Sequence, residues 1–208
     1  MKRLLEASDK ERPMESFWFK QVKVLRDSDS SMDDKIKCVS SLGATGDQTS
    51  IIPILATCLH EPPLQEAAQT AMWTIWMRPG NKDTKAGDAM KEGSRMMMNE
   101  ATYGESLTQF TIAIQRAPFW SEAYNKRATL YYLMRKWKES IEDCKMSLSL
   151  ERFHFGAASG MGLCCLNLDE KAQALEAFEQ ALSINPGLTE IRRIVEGLRV
   201  ELKSKKVE

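Results

Sequence analysis

One spacing constrains this chain more than any other: small and apolar residues recur every thirty-four positions between Gly87 and Pro186. Ala113, Ser147 and Ala181 are small, as are Ser106, Ser140 and Ala174, and again Ser94, Ala128 and Gly162. Phe110, Cys144 and Phe178 are apolar and mid-sized, while Leu107, Ile141 and Leu175, then Ile114, Leu148 and Leu182, are aliphatic. Pro118 and Pro186 lie two periods apart, with Arg152 in the middle place. Proline lacks an N–H and disfavours helix in the residue before it, so each unit closes on a helix end. The spacing predicts one antiparallel helix pair per unit. Small residues then sit where the two helices cross closely, and larger apolar ones fill the space between pairs.

A period of thirty-four with small residues in those columns resembles the tetratricopeptide repeat, or TPR. The resemblance covers residues 87–186 as three consecutive repeats. "SEAYNKRATLYYLMRKWKESIEDCKMSLSLER" and "ALEAFEQALSINP" carry it best, and "EGSRMMMNEATYGESLTQFTIAIQRAP" is degenerate in its first helix. After Pro186-Gly187, Leu188, Ile191, Ile194, Val195, Leu198 and Leu202 form a single helical stripe. A stack of helix pairs leaves an apolar face open at its end, so residues 187–208 are expected to be a capping helix with a charged tail.

The residues before the repeats differ in style. Residues 1–12 are expected to lack structure, and residues 13–79 to form a helical segment. Pro13 suits a first helical turn, Phe17, Trp18, Val22 and Leu25 share a side, and Ser31 with Asp34 has the spacing of a helix cap. From Asp33 to Trp76 the chain resembles a short HEAT-type repeat: a helix ending in Leu-Gly, a Gly46-Asp47 turn, then a second helix. Residues 80–87, in "MRPGNKDTKAGD", break the periodicity and form the expected joint. The fold class expected is all-α, a right-handed alpha-alpha superhelix (a solenoid) of HEAT-like hairpins, TPR hairpins and a cap.

Composition narrows the function. Lys and Arg number 29 against 29 Asp and Glu, so nothing drives the chain generally toward nucleic acid or an anionic membrane. No apolar run reaches the length of a bilayer span. The opening "MKRLLEASDKERP" turns charged too soon for a secretory signal. A soluble, intracellular protein is expected, in the cytoplasm, or inside an organelle if a targeting segment has been removed. The cysteines Cys38, Cys58, Cys144, Cys164 and Cys165 are odd in number, lack a CxxC pair and read as reduced core residues. Met96, Met97 and Met98 cannot all face one ligand on a helix, which argues against a soft-metal site.

Catalytic signatures are missing. His60 and His154 are far apart and not clustered with cysteine, and no GxSxG, glycine-rich phosphate loop or HExxH is present. Glu139, Glu142 and Asp143 read as a solvated helical face. No catalytic residue, metal or cofactor is expected.

What the resemblance implies is a scaffold or adaptor that binds a protein through a concave groove lined by the first helix of each pair, in the assembly of a larger complex. The first repeat offers Asp88, Lys91, Glu92, Arg95 and Asn99. The second offers Glu122, Asn125, Lys126, Thr129 and Leu133, and the third Gly156, Ser159, Gly160, Leu163 and Asn167. Of these, Lys91, Arg95, Asn99, Asn125, Lys126, Thr129, Ser159 and Leu163 are the candidate partner-binding residues. Chaperone-binding TPR domains clamp a terminal carboxylate with Lys and Asn, then Asn, then Lys and Arg. Here Lys91 matches, while Arg95, Lys126, Gly156 and Gly160 stand in the other places. Tight binding of heat-shock chaperone tails is therefore not expected, and the partner is expected to be a protein or peptide segment of acidic or helical character. Two other readings stay open: an RNA-binding helical array, which the balanced charge argues against, and a lyase-type enzyme or its subunit, since some short HEAT proteins serve bilin-attaching lyases.

Overall fold

The computed structural model describes residues 13–79 and 83–204, with side chains from Phe17 onward. The expected unstructured segment 1–12, residues 80–82 of the joint and residues 205–208 of the charged tail lie outside the described residues. Among the described residues there is helix and no strand. The helices are α1 (Pro13–Arg26), α2 (Met32–Thr45), α3 (Ile52–Cys58), α4 (Gln65–Trp76), α5 (Thr84–Met96), α6 (Tyr103–Arg116), α7 (Ser121–Leu133), α8 (Trp137–Leu150), α9 (Phe155–Asn167), α10 (Lys171–Ile184) and α11 (Thr189–Ser204). The chain divides into two compact units, one ending at Ile75 and one beginning at Trp76, within the last turn of α4.

In the first unit, α1 opens on Pro13, whose missing N–H costs nothing in a first turn. Ser31 caps α2: its Oγ accepts the Asp34 N–H at 3.2 Å and donates to Asp34 Oδ2 at 2.7 Å. The chain then turns at Gly46, whose N–H bonds to Leu42 O, and any Cβ there would lie 2.5 Å from that oxygen. Asp47 Oδ1 accepts the Ser50 N–H at 2.7 Å and closes the turn into α3. Gly43 lies against α4, where a Cβ would come within 2.6 Å of the Ala71 backbone. Val39, Leu42, Ile52, Leu55, Leu59 and Met72 are fully buried and form this unit's interior.

The second unit is three helix pairs and a cap. α5 packs on α6, α7 on α8 and α9 on α10, and each pair packs on the next. Phe110 and Phe178 fill equivalent places thirty-four times two residues apart, each pressed against a glycine of the facing helix. Arg135 and Asp169, one period apart, take positive φ (57° and 60°) in the tight turns after α7 and α9.

The first pair corrects the register read from the sequence. Ser106 Oγ donates to Gly93 O at 2.7 Å, and Ser140 Oγ donates in the same way to Ala128 O at 2.8 Å. A Cβ at Gly93 would meet the Phe110 ring at 2.9 Å, as one at Gly162 would meet Phe178 at 2.5 Å. The close-crossing column is therefore Gly93, Ala128 and Gly162, not Ser94. Its physical cause is the turn between α5 and α6, which holds an extra residue and a short 3-10 turn at Glu100–Thr102. From crossing residue to partner is thirteen positions in this pair and twelve in the other two.

α11 lays Val195 and Leu198 into the last pair, with Ile191 and Ile194 partly buried against the same cluster as Phe178. Its other side presents Arg192, Arg193, Glu196 and Arg199 to solvent. Arg199 pairs with Glu179 of α10 at 2.7 Å, and Lys171 pairs with Glu201. An apolar inner face and a charged outer one are what the end of a stack requires.

Candidate functional site

The face to be tested is that of α5, α7 and α9, the first helices of the three pairs. Once α5 is shifted by one residue, Lys91, Lys126 and Gly160 occupy one column of that face, and Ser94, Thr129 and Leu163 another. Lys91 is exposed and Lys126 half-buried. Thr129 is exposed, its hydroxyl donating to Asn125 O at 2.9 Å, and Ser159 is satisfied in the same way by Gly156 O at 3.0 Å. Leu163 packs partly into the cluster around Phe178. A Cβ at Gly160 would meet only Cys144 Sγ, at an ordinary 3.6 Å. Packing does not demand glycine there, so that end of the face is open by composition alone.

Three expected groove residues lie elsewhere. Asn99 is beyond the end of α5, where its Oδ1 accepts the Ala101 N–H at 3.1 Å and caps the 3-10 turn. Asn125 and Glu122 are buried, not exposed: Asn125 Nδ2 donates to Glu122 Oε2 at 2.9 Å. Arg95 is exposed but held in a two-point pair with Glu92 at 2.9 and 2.6 Å. That pairing raises the Arg95 pKa and lowers that of Glu92.

Glu122 belongs to a buried polar assembly under this face that sequence reasoning missed. His154 caps α9, its Nδ1 accepting the Ala157 N–H at 3.2 Å, so Nε2 carries a proton and donates to Glu122 Oε2 at 2.9 Å. Trp76 stacks on the imidazole with centroids 4.2 Å apart and planes 11° apart, and Phe155 meets Trp76 edge-on. Trp120 Nε1 donates to Trp76 O at 2.6 Å. Lys126 Nζ stands 3.5 Å from Glu122 Oε1, a cation at the rim for a carboxylate with no exposure. Close by, Glu151 accepts the Phe153 N–H at 3.0 Å, and burial pushes its pKa up.

Asp143 is also not solvated, contrary to the expectation for the Glu139–Asp143 stretch. It takes both arms of Arg127, Nε at 2.7 Å and Nη2 at 2.8 Å, and ties α7 to α8. Arg127 is flanked by Tyr124 and Tyr131 with each ring centroid 5.9 Å away, and Asp143 raises its pKa. Both groups are therefore committed to structure. The five cysteines are free and buried, and burial pushes Cys144 up to about 12 and Cys58 up to about 11. Such thiols are inert at neutral pH. Among the described residues no three His, Cys, Asp or Glu side chains converge as a metal site, and no helix is long and apolar enough to cross a membrane.

Residues 156–188 match the tetratricopeptide repeat family. A TPR repeat-containing protein of Rhizobium etli is 38% identical over 74 residues, which is 36% of this chain and 36% of that protein. Hsp70-Hsp90 organizing protein 1 of Glycine max is 27% identical over 118 residues, 55% of this chain and 21% of its own length. Among solved structures, the first TPR of Spaghetti (RPAP3) bound to the HSP90 peptide SRMEEVD aligns with a TM-score of 0.55 at 20% identity, covering 59% of this chain and 96% of that one. The chain thus spans about a fifth to a third of the length of these two relatives. The hairpin of α9 and α10 carries the tetratricopeptide repeat match, and the all-helical chain shares its fold with solved TPR domains.

Proposed function

We propose that the chain is a non-catalytic adaptor that holds an acidic peptide segment of a protein partner across the faces of α5, α7 and α9. The observation that carries this reading is the column Lys91, Lys126, Gly160: two cations on successive first helices, then an open place beside Leu163. Cations so placed favour an acidic partner and speed its approach. The Spaghetti domain was solved with an HSP90 peptide, which supports a peptide as the kind of ligand this fold accepts.

That same structure pulls against one part of the reading, because its peptide ends in an acidic chaperone sequence. The side chains of this chain favour a different mode. In the corrected register the five clamp places hold Met90, Ser94, Lys126, Gly156 and Gly160, and Met90 is buried. Lys91 falls one place off, so no position retains the clamp residue. A terminal carboxylate would meet one cation here, and the affinity would come instead from charges along the segment.

Titration of the isotope-labelled protein with SRMEEVD as free acid and as C-terminal amide separates the two modes. The proposal expects both forms to bind alike, with shifts on α5, α7 and α9 and a loss on Lys91→Glu. Binding that is tight only with the free carboxylate would establish a clamp. Absence of shifts on these helices with any acidic peptide would remove the face from consideration.

A further inference from the structure

A second surface lies on the other helices of the pairs and shares no residue with the face just described. Between α8 and α10, floored by α9, runs an open cleft of about 830 Å³. One wall is Lys138, Ile141, Glu142 and Lys145, spaced i, i+3, i+4 and i+7 along α8. The opposite wall repeats the spacing with Gln173, Glu176, Ala177 and Gln180 on α10. Met161 and Cys165 lie between them, with Leu168 and Glu170 at one end. Seven residues at a rise of about 1.5 Å give walls about 10 Å long, two turns of helix. The geometry is that of a groove awaiting a third helical ridge.

The charges of the rim say which ridge. Lys145 pairs with Glu142 at 2.9 Å, so those two cancel. What remains is Glu139, Glu170 and Glu176 against Lys138, and no ion pair joins any of these four to a described residue. The inside of the cleft is apolar: Met161 of the floor is partly buried, Ile141 and Ala177 of the walls are buried, and Cys165, raised in pKa by burial and by Glu170, is an uncharged thiol. We infer that this cleft docks a basic amphipathic helix of a partner protein, its apolar i, i+3, i+4 and i+7 side chains on the α9 floor and its Lys or Arg residues against Glu139, Glu170 and Glu176. This is helix-in-groove recognition, independent of the peptide face of α5, α7 and α9. The chain would then grip two partners, or two parts of one, on opposite chemistries.

The test uses the full chain and a labelled lysine–leucine peptide with leucines at i, i+3, i+4 and i+7, beside a scrambled peptide of the same composition. Fluorescence anisotropy is expected to show binding of the patterned peptide, weakened about tenfold by Glu139→Lys/Glu176→Lys, the size expected for reversing two rim charges. Amide shifts are expected on α8 and α10 and not on α5. If the double charge reversal unfolds the chain by circular dichroism, Glu139→Gln/Glu176→Gln replaces it with a smaller loss in the same direction. Equal binding of the scrambled peptide, or shifts on α5 and α7, overturns the inference. So does concentration-dependent dimerisation abolished by the charge reversal, which would make the occupant a second copy. Failure of Lys91→Glu to affect SRMEEVD would leave this result untouched, so the two proposals fail separately.

Discussion

Glu151 shows how much a single buried group can reveal. Burial raises its folded pKa, with the Phe153 N–H, His154 and the Trp76 side chain opposing that effect incompletely. A carboxyl whose folded pKa lies above its unfolded one contributes stability below the unfolded pKa and loses it as pH rises through the folded value. Ionised Glu151 therefore works against folding at neutral pH. Glu151→Gln keeps an oxygen for the Phe153 N–H, and is expected to raise the melting temperature at pH about 8 and to change it little at pH about 4. Equal gains at both pH values would show that the carboxyl is not the cause. Arg127 behaves in the opposite sense, because its partner Asp143 is buried and would be stranded without it. Arg127→Ala is expected to cost about 3 kcal/mol in urea unfolding, and Arg127→Lys to recover only part of this, since an ammonium cannot make the two-point contact. A loss under about 1 kcal/mol would show that water replaces the guanidinium.

At the scale of the element, the hairpins α7–α8 and α9–α10 and the apolar stripe of α11 were legible from period alone, because tight turns of constant length keep the columns in phase. The first pair was not. Its turn carries an extra residue, and the run Met96-Met97-Met98 is apolar in either register, so nothing in the sequence exposes the slip. Only the contact of Gly93 with Phe110 and the Ser106 hydrogen bond reveal it. The register can be tested directly. Gly93→Ala would force a Cβ to 2.9 Å from the Phe110 ring. Overpacking of that kind is expected to cost about 1–3 kcal/mol in denaturant unfolding. Ser94→Ala removes only a hydroxyl bonded to Met90 O, and is expected to be neutral or stabilising within about 0.5 kcal/mol. The reverse order of effects would restore Ser94 to the crossing column. The candidate site divides along the same line. Lys126, Thr129 and Leu163 are not buried, whereas Glu122 and Asn125, which the repeat pattern reads as exposed groove residues, are buried with His154. Their burial depends on a contact between residues 122 and 154, 32 positions apart, which one-residue columns cannot register.

For the molecule as a whole, linear stacking of the helix pairs makes stability largely local: the main packing of each pair is on the next, and the last pair relies on α11 for its outer face. Leu198 is buried in that contact, beside Val195 and the cluster around Phe178. Leu198→Ala removes apolar area and leaves a cavity that a helix docked by one stripe cannot close fully, so a cost of about 2–4 kcal/mol is expected. The distribution of that loss is the more telling quantity. If the array behaves as coupled neighbours, amide exchange accelerates most in α11, α10 and α9, less in α7 and α8, and least in α5 and α6. A uniform acceleration from α5 to α11 would mean that the three pairs open together as a single cooperative unit. Graded exchange has a functional consequence for the cleft between α8 and α10. Both of its walls would then draw rigidity from α11, and Leu198→Ala would weaken the patterned lysine–leucine peptide while sparing the Lys91 face on α5.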